Sequence, residues 1–511
     1  MRLQKYLLSL GLICSVFVVV LADQNNITKN PMPKYLDWSS VNLNDLSHYK
    51  FPKDFLFGVA IAEYQNSGAQ HVPSNWSEWE KGEDHIKEAQ TSGKSCDHRA
   101  RYKEDLVMTK DLGLNSFRFD INWALCEPEQ GKWDESAFTY YHDKIDCMIK
   151  LGIKPMVTLH HFVHPIWFEN LGGFENEENI AHFVRFAEKM FDQFHDKVEL
   201  WSTFNEPNTT VQGGWLRGVF PPGKQDVQLA GQVYVNLAKA HIQTYQALKK
   251  RPGGDKAKIG IVFQYLIFEP FHEEEGVARS IESAPTWYLT HVMTEAFFEF
   301  LKTGKFHFEA RPLVNTMMFG GFSLSNLNPV KQEIEYEAPN ADTWKASDYM
   351  DWVGLNYYSH VLFDCTSPTK PAFRENDIPT DMWYAIYGEG MYHSIVAMSE
   401  LGVPMYVTEN GMADNDDSRR AICIQRNLYA LSRALKDGYD VRGYYYWTLM
   451  DNFEWDEGHL VLYGLYDANR KLKEGAKTYA AIVRNALGTL KILDTVSDMS
   501  LPVGNAALSI A

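Results

Sequence analysis

Cysteine is scarce in this chain of 511 residues, which contains six. Cys14 lies in the first apolar segment, and the others are Cys96, Cys126, Cys147, Cys365 and Cys423. Five scattered cysteines exclude a disulfide-stabilised scaffold, and their odd number leaves room for one or two bridges at most. Because no two of them have the spacing of metal ligands, we expect no zinc site.

Positive charge is also in deficit. The chain has 49 Lys and Arg residues against 66 Asp and Glu residues, a formal net charge of -17, and no basic block. Nucleic acid and anionic membrane surfaces are therefore not expected as partners. The hydrophobic fraction of 45% and the charged fraction of 23% are typical of a globular protein. The aromatic fraction of 14% suits either a sugar ligand that stacks on the rings or a packed barrel interior.

Apolar runs long enough to span a bilayer are lacking after the first segment. There Arg2 and Lys5 precede the apolar run 7–22, which ends in Val20-Leu21-Ala22. This pattern predicts a secretory signal peptide over residues 1–22 and hence a secreted protein without membrane contact after cleavage. The run is short for a spanning helix, and an uncleaved anchor is the alternative. The oligomeric state has no signature in the sequence.

Short apolar runs rich in β-forming residues recur along the rest of the chain, and segments with helical periodicity follow them. There are eight such runs, at 55–62, 116–123, 154–161, 198–205, 258–265, 352–358, 404–408 and 442–449. They predict an α/β fold, a single (β/α)₈ barrel of the TIM type, although a doubly wound open sheet would give similar runs.

The domain boundaries follow from the same pattern. Residues 23–50 form an N-terminal lead-in, 51–490 the barrel domain, and 491–511 a tail of small residues that we expect to be disordered. The longest gap between runs, 266–351, is interpreted as long loops over the C-terminal face of the strands rather than as a second domain.

Two of the predicted strands end in glutamate. The fourth closes as Asn205-Glu206-Pro207 and the seventh as Thr408-Glu409-Asn410-Gly411. Because functional groups of such barrels lie at the C-terminal strand ends, a closed barrel brings both glutamates to one cavity. Two facing carboxyl groups suit glycosidic bond cleavage, whereas metal binding and helix capping are the alternatives.

The segments around these glutamates resemble the motifs of a known family. Residues 51 to about 487 resemble glycoside hydrolase family one, the β-glucosidase family, with Thr203-Phe-Asn-Glu-Pro207 similar to its acid/base motif and Thr408-Glu-Asn-Gly411 to its nucleophile motif. The resemblance implies a retaining double displacement without a metal or cofactor. Glu409 would attack the anomeric carbon, and Glu206 would protonate the leaving oxygen and then activate water.

The resemblance also implies the sugar contacts. Gln65 and His161 would bind the 3-hydroxyl region, and Asn205 the 2-hydroxyl. Trp447 would form the stacking floor, while Glu454 and Trp455 would hold the 4- and 6-hydroxyls. The substrate is then expected to be a terminal non-reducing β-D-glucosyl unit, with some tolerance of galactosyl or fucosyl units.

Three further residues match positions around the nucleophile. Arg118 and Asn356 would tune it, and Tyr358 would donate a hydrogen bond to its carboxylate. The chain departs from the family pattern at Asp120, which could add negative charge near Arg118. Trp215 is expected either to stack on the leaving group or simply to pack.

Two other functions stay open at this point. The first is a catalytically quiet carbohydrate-binding or receptor-like barrel protein, which an assay with a chromogenic β-glucoside would separate from an enzyme. The second is a transglycosidase, which passes the glycosyl group to an alcohol rather than to water. A 6-phosphorylated substrate is disfavoured, because the Glu454 carboxylate would repel the phosphate.

Overall fold

Parallel strands form the centre of the molecule. Among the described residues, eight of them close into a barrel in the order β1-β2-β3-β4-β5-β9-β11-β12. They are β1 Leu56–Ala60, β2 Ser116–Asp120, β3 Lys154–His160, β4 Leu200–Asn205, β5 Lys258–Gln264, β9 Trp352–Asn356, β11 Met405–Asn410 and β12 Val441–Trp447. Each falls within or overlaps a predicted run, so the predicted (β/α)₈ fold is confirmed.

This computed structural model describes residues 31–68, 72–310, 332–367 and 370–489. The predicted signal peptide at 1–22, the first part of the lead-in at 23–30 and the predicted tail at 491–511 lie outside these residues. Within the described part of the chain, no helix is both long and apolar enough to cross a membrane.

Helices surround the barrel because the connections between neighbouring parallel strands must cross back along its outer face. The described α-helices are α1 Glu63–Asn66, α2 Asn75–Trp79, α3 His98–Asp111, α4 Trp123–Cys126, α5 Glu135–Lys150, α6 Ile166–Asn170, α7 Ile180–Phe194, α8 Pro207–Val211, α9 Val227–Lys249, α10 Val277–Thr290, α11 Ala296–Thr303, α12 Gly388–Met398, α13 Arg420–Lys436 and α14 Glu474–Ala486. The apolar face of α7 is buried against the barrel, as its 3.6-residue period indicates.

The interpretation of residues 266–351 as long loops needs a correction. Within its described part, this segment forms α10, α11, a strand β6 Phe268–Pro270 that pairs with β10 Val361–Phe363, and an antiparallel hairpin of β7 Lys305–Ala310 and β8 Gln332–Glu337. Apolar side chains of α11 such as Phe297 and Phe300 are buried. Their separation of three residues is typical of one face of a helix and could have predicted this helix.

Disulfide bonds are absent from the part of the chain described here. The five cysteines after Cys14 are free thiols, and three of them, Cys96, Cys126 and Cys423, are buried. Hydrophobic packing therefore holds the described barrel together without covalent cross-links.

A fully buried ion pair ties the first βα unit to the second. Lys144 on α5 pairs with Glu63 on α1, and both side chains are inaccessible to solvent. Asp120 at the end of β2 accepts a hydrogen bond of 2.6 Å from the backbone N–H of Glu63. Together these contacts fix the start of α1, the short helix that carries Gln65.

Removal of the Lys144 charge should destabilise the fold. Lys144→Met leaves the Glu63 carboxylate buried without its partner, which is expected to lower the free energy of unfolding by about 3–5 kcal/mol in urea denaturation. The matched control is Lys132→Met, because Lys132 pairs with Glu129 in an exposed ion pair of 2.5 Å that contributes little. Equal losses in the two variants would contradict the importance of this buried pair.

Candidate active site

A cleft of about 960 Å³, including its open mouth, lies over the C-terminal ends of the strands. Glu206 follows β4 and Glu409 lies near the end of β11, and each is 4% exposed. Eight predicted site residues line this cleft: His161, Asn205, Glu206, Tyr358, Glu409, Trp447, Glu454 and Trp455. The three others, Gln65, Arg118 and Asn356, are buried behind it.

Both oxygens of the Glu409 carboxylate have a donor. Arg118 reaches Oε1 through its Nη1 at 2.5 Å, and the Tyr358 hydroxyl donates to Oε2 at 2.8 Å. The other terminal nitrogen of Arg118 donates to Oδ1 of Asn205 at 2.6 Å. A buried carboxylate with an arginine and a tyrosine donor is stabilised in its ionised form, which is the form a nucleophile needs.

Asn356 contacts the other glutamate. Its Nδ2 donates to Oε1 of Glu206 at 2.6 Å and to Oδ1 of Asn205 at 3.1 Å. The Thr408 hydroxyl donates to Oδ1 of Asn356 at 2.7 Å, which fixes the orientation of the amide. That Asn356 tunes the nucleophile therefore stays a prediction: of the two glutamates, its side chain is described as bonded to Glu206, not to Glu409.

Glu206 differs from Glu409 in its surroundings. Burial raises the pKa of Glu206 to about 8, and the negative charge of Glu409 adds to this rise. The hydrogen bond from Asn356 opposes it. Glu206 is consequently protonated at neutral pH, and a protonated carboxyl group beside an ionised one is the arrangement of an acid and a nucleophile.

Gln65 is positioned by the loop that carries Glu454. Its Nε2 donates to the carbonyl oxygen of Phe453 at 2.8 Å and to Oε2 of Glu454 at 3.2 Å. Its Oε1 is buried and has no hydrogen-bond partner among the described residues. Such an acceptor costs free energy unless a ligand supplies a donor, and a sugar hydroxyl would do so.

His161 and two tryptophans form an aromatic surface in the cleft. The imidazole lies 5.9 Å from the ring of Trp447 and 6.1 Å from that of Trp455, stacked in both cases. Its Nε2 is 3.1 Å from Nδ2 of Asn205, which donates to it. Burial holds the pKa of His161 well below its usual range, so the imidazole is neutral. Flat apolar rings with a few fixed polar groups suit a sugar ring.

Burial also changes the state of Glu454. It raises the pKa of this carboxyl to about 8, against the hydrogen bond from Trp447, and the charge of Glu409 adds to the rise. Glu454 can then donate as well as accept a hydrogen bond near neutral pH, which matches the dual character of a hydroxyl group.

The structure bears on two expectations about neighbouring residues. The Asp120 carboxyl contacts the backbone of Glu63, and burial together with the Glu63 charge raises its pKa to about 7, so it adds less negative charge near Arg118 than expected. Trp215 is absent from the residues that line the cleft and donates through Nε1 to Glu175 at 2.8 Å, so it packs rather than stacks on a ligand.

Several cleft residues were missed by the sequence analysis. They are Phe162, Thr209, Gln212, Arg217, Phe220, Gln264, Leu266, Ser359, Met382, Trp383, Tyr384, Asp456, Glu457 and Tyr463. Most of them follow the strand ends in loops and short turns, where no periodicity marks a functional residue.

A closed barrel with two buried glutamates in one cleft at its C-terminal strand ends is the arrangement of a glycoside hydrolase. Residues 47–487 match the family model described as Glycosyl hydrolase family 1. The chain belongs to this family, and the predicted β-glycosidase activity is confirmed.

Similar proteins agree with this assignment. Beta-glucosidase A of Thermotoga maritima is 31% identical over 460 residues, which cover 85% of this chain and 98% of that protein. The solved beta-glycosidase from Pyrococcus horikoshii has a TM-score of 0.71 and 31% identity, and the match covers 86% of this chain and 96% of that structure's chain. The T. maritima beta-glucosidase in complex with deoxynojirimycin has a TM-score of 0.71 and 29% identity, and the match covers 86% of this chain and 99% of that structure's chain. These relatives favour the enzyme over the catalytically quiet alternative.

The raised pKa of Glu206 predicts the basic side of the pH profile. Because the acid must carry a proton, kcat/KM for a β-glucoside should fall about tenfold per pH unit above about pH 8. The measurement is a pH–rate profile of the wild type and of Glu454→Gln. This variant serves as the control, because the pKa of Glu454 is also about 8 and the substitution removes that titrating group. The fall should persist in Glu454→Gln, and its disappearance there would assign it to Glu454 instead.

Proposed function

We propose that the chain hydrolyses terminal non-reducing β-D-glucosyl units, with some tolerance of β-galactosyl or β-fucosyl units, and that Glu409 is the nucleophile and Glu206 the acid/base. The observation that carries the assignment of roles is the difference between the two carboxyl groups in one cleft. Arg118 and Tyr358 donate to Glu409, whereas burial raises the pKa of Glu206.

The reaction takes place in two steps at the anomeric carbon. First, a carboxylate oxygen of Glu409 bonds to this carbon while the bond to the leaving oxygen breaks, and Glu206 gives that oxygen its proton. Next, Glu206, now ionised, takes a proton from water as the water oxygen attacks the same carbon and releases Glu409. The second step restores both carboxyl groups and leaves the sugar with its original configuration.

Recognition of the sugar ring is proposed for the groups beside the two glutamates. The free Oε1 of Gln65 and the carboxyl group of Glu454 supply hydrogen bonds to hydroxyls, and Trp447 supplies a stacking face. Asn205 lies between Arg118 and Asn356, where it can hold the 2-hydroxyl next to the nucleophile. Hydroxyl contacts of this kind strengthen in the transition state.

Two substitutions test the proposed roles. Glu409→Gln should abolish turnover of all β-glucosides, because no covalent intermediate can form. Glu206→Ala should slow natural glycosides by roughly 10² to 10⁴-fold yet spare aryl glycosides with good leaving groups, which need little protonation. Steady-state kinetics on the two substrate types measure the difference.

Equal losses of Glu206→Ala on both substrate types would contradict the assignment of the acid. Product analysis with an added alcohol provides a separate check on the reaction type. Free glucose as the main product supports hydrolysis, whereas a dominant alkyl glucoside would identify a transglycosidase.

We also propose that the protein is secreted after cleavage behind Ala22. Support comes from the basic residues and the apolar run that open the sequence. When the full-length sequence is expressed in a host with a secretory pathway, the cleaved protein should appear in the medium. N-terminal sequencing should identify Asp23 as its first residue. Leu10→Arg should keep the protein inside the cell, because the charge interrupts the apolar run. An intact chain that starts at Met1 and remains with the membrane fraction would identify an anchor instead.

A further inference from the structure

We infer that Arg217 and Asp456 determine the leaving group of the reaction and select a hydroxyl-rich one, a second sugar, over an apolar alcohol or phenol. The inference rests on the proposed function, because the leaving group is the part of the substrate beyond the glucosyl unit. Both residues line the same cleft as Glu206 and Glu409.

The position of Arg217 follows from the chain after Glu206. Helix α8 starts directly behind Glu206, and a π-helical turn, Gln212–Arg217, continues from it. We place the leaving group beside this turn, because Glu206 must face the leaving oxygen to protonate it. Thr209 and Gln264 also line the cleft, and the Thr209 hydroxyl donates to Oε1 of Gln264 at 3.0 Å.

Arg217 and Asp456 carry opposite charges. Within the described residues, neither side chain forms an ion pair or a side-chain hydrogen bond, and each is only partly exposed. Burial raises the pKa of Asp456, and the positive charge of Arg217 opposes this rise. The neighbouring Glu457 differs, because Lys87 neutralises it at 2.5 Å.

Aromatic rings complete this part of the cleft. Phe220 packs edge-on against Trp76 with ring centroids 4.9 Å apart, and Trp383 packs edge-on against Tyr384 at 5.6 Å. Phe220 and Trp383 both line the cleft and are partly exposed. A sugar can stack its C–H faces on aromatic rings and form hydrogen bonds with polar groups, so this lining suits a sugar.

The charges decide between the two kinds of leaving group. An apolar aglycone would displace the water at Arg217 and Asp456 without replacing its hydrogen bonds, and an unpaired charge is costly to desolvate. The hydroxyls of a sugar donate to Asp456 and accept from Arg217, so the lost water contacts are replaced by charge-assisted hydrogen bonds. The aromatic residues alone would accept either group, whereas the charged residues favour the sugar.

The test compares two substrates that share the glucosyl unit and differ in the leaving group. They are cellobiose and 4-nitrophenyl β-D-glucoside, measured at one pH below the basic side of the wild-type profile. Arg217→Met and Asp456→Asn should each lower kcat/KM for cellobiose by about 10- to 100-fold, since each removes a hydrogen bond to a charged group. The value for the aryl glucoside should change less than about threefold.

Matched controls remove the same charges elsewhere. Arg442 and Asp440 form an exposed ion pair of 2.8 Å at the start of β12, the opposite end of the barrel strand from the cleft. Arg442→Met and Asp440→Asn should leave both substrates unchanged. Arg217→Lys, which keeps the charge and loses the planar donor group, should restore part of the activity on cellobiose.

The outcomes separate this inference from the proposed function. Equal losses on both substrates, or no loss on cellobiose, would overturn the role of Arg217 and Asp456 while wild-type cleavage of the aryl glucoside upholds the function. Poor cleavage of cellobiose by the wild type, together with rapid cleavage of the aryl glucoside, would also overturn the inferred role of Arg217 and Asp456. No cleavage of either substrate by the wild type would overturn the proposed function itself.

Discussion

The ion pair between Arg118 and Glu409 inside the barrel is the interaction on which the chemistry depends. A buried pair is stable only when further hydrogen bonds satisfy both partners. Asn205 accepts from the arginine and Tyr358 donates to the carboxylate. The ionised Glu409 in turn helps burial to keep Glu206 protonated. Burial and the neighbouring negative charge thus give Glu206 a role different from that of the chemically similar Glu409.

Closure of the barrel makes this arrangement possible. Arg118 on β2 and Glu409 on β11 belong to strands that are not neighbours, so their side chains meet across the interior. The cleft also contains residues with strained backbones: Phe162, Glu206 and Trp455 have positive φ values of 66°, 42° and 49°. Tight packing around a site can maintain such conformations, which cluster where side chains must point in a required direction.

The sequence predicted the barrel because continuous apolar runs and helical periods are local patterns, and it predicted Glu206 and Glu409 as partners because both end a strand. The contact of Asn356 could not be predicted in the same way. Strand order and register decide that its amide reaches Glu206, and these are properties of the closed sheet. Trp215 was equally ambiguous, since only the structure reveals its bond to Glu175.

The residues proposed for the glucosyl unit and those inferred for the leaving group occupy different kinds of position, and this explains why only the first set was predicted. Groups proposed for the glucosyl unit lie mainly at strand ends, where the barrel fixes them, and every member of the fold has such positions. Arg217 and Asp456 lie on turns, which can change without disturbing the barrel. Within the described residues neither side chain forms an ion pair or a hydrogen bond, and partly buried charges of this kind oppose stability. Proteins tend to keep such features where function requires them.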